Sequence, residues 1–169
     1  MVFGLKSKAD SRPEENEETT ATEGQASLRD ELGMYHLWYL ERRLQDELAR
    51  AARKEGIFSL VCWRLRGLPG EMIPDELVAK AAEIISANLR SYDVFTRIDE
   101  ERFVALLFDA EQQPATTVAF RIKGDMQVQM QTAGRWQAGV ATFPHDGVSG
   151  DSLIQAAFRR LGEDARAPV

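Results

Sequence analysis

Two spacings of apolar residues divide this chain into elements. From Asp30 to about Glu55, Leu37, Leu40, Leu44 and Leu48 recur every three or four positions, with Arg42, Arg43, Asp46, Glu47 and Arg50 largely elsewhere. That spacing predicts a helix with one buried face, ended by Gly56. Phe58 to Leu65 is an apolar run that predicts a strand, followed by a turn at Pro69-Gly70. Pro74 to Leu89 reads as a helix carrying Leu77, Ala81, Ile84, Ile85 and Leu89 inward. Asp93 to Ile98 and Arg102 to Phe108 form a hairpin around a charged turn, and Gln112 to about Lys123 forms a helix. Met126 to Gln131 and Arg135 to Phe143 read as a second hairpin turning at Ala133-Gly134. Pro144 to Gly147 is a turn, and a last helix runs from about Gly150 to Leu161.

After the first helix the order is β-α-β-β-α-β, with a hairpin in the final position. This is a ferredoxin-like α+β unit, whose sheet is expected to carry helices on one face. Residues 1 to 28 stand apart. They hold three basic and six acidic residues and almost no large apolar side chain after Leu5. Such a tract cannot bury enough surface to offset its ordering entropy, so it is expected to be a disordered tail before one domain over residues 29 to 169.

Composition narrows the function. The formal net charge is −6, which gives a nucleic-acid role no electrostatic support. Cys62 is the single cysteine and lies in an apolar strand, so it is expected to be a buried, reduced thiol. His36 and His145 are the two histidines, too few and too far apart in sequence for a zinc site. No apolar run has the length of a membrane span, and the start Met1 to Lys8 is too short for a signal-peptide core. The expected location is the cytoplasm, with no membrane insertion.

Four stretches together resemble one family. They are Arg29 to Tyr35, Phe58 to Leu68, Arg90 to Phe108, and Gly139 to Pro144. In order and spacing they resemble the diguanylate cyclase (GGDEF) family, and the resemblance covers nearly all of residues 29 to 162. It implies a mostly antiparallel five-stranded central sheet wrapped by helices.

The resemblance also shows which catalytic positions have changed. The family's Gly-Gly-Asp/Glu-Glu-Phe turn corresponds to Asp99, Glu100, Glu101, Arg102 and Phe103. Its metal-binding Asp on the first strand falls at Arg64, and a second common Asp falls at Arg66. An Arg cannot coordinate Mg²⁺, and its fixed charge repels the ion. The Gly-Gly pair gives positive φ freely, which Asp99-Glu100 does not. The guanine loop is reduced to Pro69 to Ile73, Asp75 retains only a first-turn role, and the phosphate-binding Lys falls near Ala165. The expectation is a degenerate domain that is not an enzyme and takes no Mg²⁺ cofactor.

Another family feature is retained. Arg90-Ser91-Tyr92-Asp93 matches the Arg-x-x-Asp of the family's inhibitory site, which binds cyclic di-GMP. That site's second Arg falls at Arg121, eighteen residues after Phe103. Two guanidinium groups can fork onto phosphate oxygens or a guanine Hoogsteen edge, and a carboxylate can accept the guanine N1 and N2 protons. The plainer alternative makes Arg90 a helix C-terminal cation with Asp93 as its surface partner, and Arg121 a solvated side chain.

The expected function is therefore an inactive cyclase-like receptor for cyclic di-GMP, signalling through an unidentified protein partner and dimerising with ligand. The alternative is a nucleotide-independent scaffold that works through the first helix, where Tyr35, Trp38 and Tyr39 cluster, and through the N-terminal tract.

Overall fold

The structure, a computed structural model, describes residues 28–66, 73–132 and 134–164. Residues 1–27 of the expected tail, the Pro69-Gly70 turn and Ala165 lie outside these residues, while Leu28 is held by its carbonyl, which accepts the His36 N–H at 3.1 Å. The described elements are α1 (Leu37–Lys54), β1 (Phe58–Arg66), α2 (Asp75–Asn88), β2 (Val94–Arg97), β3 (Arg102–Phe108), α3 (Gln112–Met130), β4 (Arg135–Phe143) and α4 (Gly150–Asp164). The strands form one antiparallel sheet in the order β2-β3-β1-β4.

β1 lies between β3 and β4 and is buried on both faces, which is why its sequence reads as a continuous apolar run. Phe58, Leu60 and Cys62 point into a layer shared with Leu40 and Leu44 of α1 and Leu153 and Leu161 of α4. Val61, Trp63 and Leu65 point to the other face, against Ala81 and Ile85 of α2 and Ala119 and Ile122 of α3. Helices thus cover both faces, not one as the ferredoxin-like pattern suggested. Trp63 is fully buried, and its Nε1 donates to the Ala119 carbonyl at 2.9 Å, satisfying the indole within the core. Cys62 is a buried free thiol, and burial pushes it up, away from thiolate character. Gly139 lets β4 approach α4 closely, since a Cβ there would lie 2.1 Å from the Ala157 carbonyl oxygen.

Three sequence expectations change. The first helix begins at Leu37, because the Asp30 carboxylate accepts the N–H groups of Leu32 (3.0 Å) and Met34 (2.9 Å) and Gly33 turns the chain with φ of 77°. Leu37 is consequently 40% exposed rather than buried with Leu40 and Leu44. The loop runs along β2, where the Tyr35 N–H donates to the Phe95 carbonyl at 3.0 Å.

The third change concerns the sheet. It has four strands among the described residues, not five, because α3 runs on through Met130 and absorbs the expected strand Met126 to Gln131. Met126, Val128 and Met130 alternate as strand residues do. Yet Ala115, Ala119, Ile122 and Met126 also form a helical series, and that series is the buried one. Val128 is 72% exposed. The edge a fifth strand would have paired with is occupied by side chains. Gln127 accepts the Trp136 N–H (2.9 Å), Asp164 that of Ala138 (3.1 Å) and Asp146 that of Thr142 (2.8 Å), while Arg160 donates to the Val140 carbonyl.

The helical assignment separates two substitutions that a strand would make alike. Met126→Ala should cost about 2–4 kcal/mol of unfolding free energy in urea titration, and Val128→Ala should stay within about 0.5 kcal/mol. Similar losses at both positions would restore the strand.

Candidate functional site

Arg90, Asp93 and Arg121 come together where α2 ends. The chain leaves α2 at Asn88 and turns through Arg90 to Asp93 before entering β2. The Asp93 N–H donates to the Arg90 carbonyl at 3.1 Å, and the Asp93 carboxylate accepts the Arg90 N–H at 3.0 Å. First and last residues of the turn thus close it reciprocally, which accounts for the Asp at the third position after the Arg. The second carboxylate oxygen accepts the Phe108 N–H at the end of β3, at 3.3 Å. Asp93 is 7% exposed. Burial raises its pKa, outweighing the stabilisation that the two N–H groups and Arg90 give the carboxylate.

The two arginines are exposed on either side. Arg90 Nη1 donates to the Tyr92 hydroxyl at 2.9 Å, and Arg121 Nη2 approaches the Asn88 carbonyl at 3.4 Å. Arg121, not Arg90, therefore contacts a last-turn carbonyl of α2. Asp93 is no surface partner of the Arg90 guanidinium; its carboxylate is held by backbone. The three side chains line one cavity of about 300 Å³, with Pro114, Val118 and Leu107 as apolar walls. Sequence reading missed those walls and Tyr92, although an exposed aromatic inside the Arg-x-x-Asp turn was visible there. An apolar cleft with two guanidinium groups and a carboxylate at its rim suits a planar, hydrogen-bonding base joined to phosphate.

At the other end of β2 lies the charged turn. Asp99 organises it: its Oδ1 accepts the N–H groups of Glu101 (3.0 Å) and Arg102 (2.9 Å), and its Oδ2 accepts Arg102 Nε at 2.6 Å. Arg97 donates to the carbonyls of Asp99 and Glu100, each at 2.8 Å. No residue from Asp99 to Arg102 takes positive φ, so the turn forms without glycine, as a wider loop closed by a carboxylate. Glu100 is exposed. Arg102 pairs with Asp99 rather than Glu101, and its guanidinium lies 4.1 Å from the Phe158 ring centroid. Arg64, opposite Arg102 in the sheet, donates to Gln137 Oε1 at 3.1 and 2.8 Å, and Arg66 lies opposite Arg135. Phe103 is a fully buried core residue packed near Trp136.

A family model described as "Diguanylate cyclase, GGDEF domain" matches residues 33–167. The chain belongs to the GGDEF family. The bifunctional diguanylate cyclase/cyclic di-GMP phosphodiesterase MucR of Pseudomonas aeruginosa is 26% identical over an alignment 126 residues long that covers 68% of this chain and 18% of MucR, so the chain spans under a fifth of that relative. The coiled coil and GGDEF domain of DgcB from Caulobacter crescentus, solved with cyclic di-GMP, superposes with a TM-score of 0.75 at 15% identity, covering 88% of this chain and 86% of that one. Diguanylate cyclase SiaD of Pseudomonas aeruginosa, solved with its activator SiaC, gives 0.73 at 21% identity, covering 88% and 62%. At such identities these two structures show a shared GGDEF fold.

The hydrogen bonds of Asp99 give the turn a measurable signature. Burial pushes Asp99 up, but the Arg102 side chain and the two N–H donors outweigh it and hold the carboxyl below its usual range. A depressed folded pKa contributes stability above the unfolded value of about 4, and that contribution is lost as pH falls through the folded value. Asp99→Ala should cost about 1–2 kcal/mol at pH 7, discounted for partial exposure of the ion pair, with the gap to wild type closing below about pH 4 in urea titrations. A gap independent of pH would refute this role.

Proposed function

We propose that this GGDEF domain is catalytically inactive and serves as a receptor for cyclic di-GMP, read through Arg90, Asp93 and Arg121 and passed on by contact with a protein partner. The observation that carries the reading is the convergence of these three side chains on one cavity. Arg90 and Arg121 meet phosphate oxygens or a guanine edge, and Asp93 retains acceptor capacity beyond its two backbone donors for guanine N–H groups. That DgcB is solved with cyclic di-GMP supports this ligand class for a chain of the same fold.

Inactivity is supported by the donor set at the charged turn. Diguanylate cyclase chemistry calls for a magnesium ion, which wants several oxygen ligands. The residues here do not suit it: Glu101 keeps the acidic metal position and Glu100 lies beside it on the turn, but Arg64 and Arg102 bring two guanidinium groups to the same cavity, the first strand supplies no carboxylate, and the Asp99 carboxylate is already held by Arg102 and two N–H groups. No step is therefore assigned to a metal.

A 300 Å³ cleft does not enclose a whole cyclic dinucleotide. Ligand left outside it offers a surface to a second copy, which supports dimerisation with ligand. The scaffold reading keeps one supporting feature: Leu32, Leu37 and Trp38 are 43%, 40% and 50% exposed around the start of α1. In the receptor reading this apolar patch is where the protein partner docks, as SiaD is solved with a protein activator.

Calorimetry with cyclic di-GMP tests the proposal. Wild type should bind at micromolar affinity or tighter, Arg90→Ala should abolish the heat, and Arg121→Ala should weaken binding about tenfold or more. GTP with Mg²⁺ should give no cyclic product. An absence of heat with saturating ligand rejects the receptor; cyclic product rejects the inactivity.

A further inference from the structure

The turn from Arg90 to Asp93 separates two cavities. Besides the cleft facing Arg121, a smaller one of about 80 Å³ opens on its other side, lined by Arg29, Ser86, Arg90, Ser91 and Asp93 among others. Its polar groups come from three places in the chain: the loop before α1, the last turns of α2, and the turn itself.

Arg29 is the least expected of them. It is half-buried, and its position is fixed by three contacts: Nη1 donates to the Gly33 carbonyl (2.5 Å), Nη2 donates to the Tyr35 hydroxyl (2.7 Å), and the guanidinium lies 3.8 Å from the Tyr35 ring centroid. A guanidinium has five N–H donors, so donors remain after these bonds. A cation held this way loses little freedom when an anion arrives. Arg90 adds a second positive charge, and the hydroxyls of Ser86 and Ser91 add neutral donors. Asp93 also borders the space; its carboxylate is turned to the backbone N–H groups of Arg90 and Phe108, and the two guanidinium groups leave the lining net positive. A volume of 80 Å³ is about that of two or three waters, too small for a purine and suited to one tetrahedral oxyanion.

We propose that this second cavity is an anion subsite for a phosphoryl group, held by Arg29 and Arg90 with Ser86 and Ser91. Where the phosphoryl group belongs to the cyclic dinucleotide, the inference rests on the receptor reading and extends it: the ligand straddles the turn, with a base in the larger cleft and a phosphate reaching Arg29. A separate phosphate-bearing ligand presents the same chemistry to the same groups.

Two measurements on the full chain separate these sources. In calorimetry with cyclic di-GMP, Arg29→Ala and Ser91→Asp should each weaken binding about tenfold, with Arg29→Lys intermediate because it keeps charge but not the fork. In NMR titration with inorganic pyrophosphate, the amides of Ser86 and Ser91 should shift in wild type and stay unmoved in Arg29→Ala. Weaker dinucleotide binding in the variants assigns the phosphoryl group to the dinucleotide. Unchanged dinucleotide binding with pyrophosphate shifts confined to wild type assigns it to a separate ligand. If wild type binds no dinucleotide, the receptor reading fails and the pyrophosphate titration alone decides the subsite. Should Arg29→Ala lower the melting temperature by loosening its loop, Ser91→Asp on the exposed turn decides instead. Undiminished dinucleotide binding in Ser91→Asp, together with no pyrophosphate shift in wild type, overturns the subsite.

Discussion

The carboxylate of Asp93 is the constraint on which the candidate site depends. One oxygen closes the turn back to Arg90 and the other fixes that turn to the end of β3 at Phe108. Removing either bond would free the main chain that carries Arg90. A buried carboxylate is costly, and burial raises its pKa. Its two oxygens give partners to the backbone N–H groups of Arg90 and Phe108, in a loop that Leu89 anchors in the core and Tyr92 packs against Phe108. Arg121 arrives independently, on a helix whose opposite side is pinned to the sheet by Ala115, Ala119, Ile122 and Met126. The site is thus the meeting of a rigid helix and a carboxylate-locked turn.

The two ends of β2 use similar residues for different ends. At Asp93 the carboxylate binds only backbone, leaving both nearby guanidinium groups exposed to solvent and to a ligand. At Asp99 the carboxylate binds backbone and also Arg102, so charge is consumed locally. One turn presents its charges outward and the other neutralises them. Beside Asp93 the Arg90 and Arg121 guanidinium groups stay exposed, whereas beside Asp99 the Arg102 guanidinium is paired.

Much of this was legible in the sequence. The four described strands, the positions of α2 and α4 and the hairpin between Asp93 and Phe108 follow from apolar runs and turn residues. The candidate trio was readable only through the family resemblance, since nothing in the spacing itself brings Arg121 to the turn that carries Arg90 and Asp93. Other features depended on contacts that are distant in sequence or on competing local bonds. Met126, Val128 and Met130 fit both periods, and only packing of Met126 against the sheet, with Gln127 and Asp164 taking the β4 edge, decides for helix. Asp30 stops the first helix from starting early through two bonds to its own backbone, which competes with a leucine spacing that favours helix. Arg29 could not be placed beside Arg90 from sequence, since sixty intervening residues fold between them.

Hydrogen–deuterium exchange of the full chain, with and without saturating cyclic di-GMP, tests the receptor claim most directly. The account predicts slowed exchange over residues 88–93 and 114–121, with the turn at 99–102 unchanged. Slowing confined to 99–102, or no change anywhere, would contradict it.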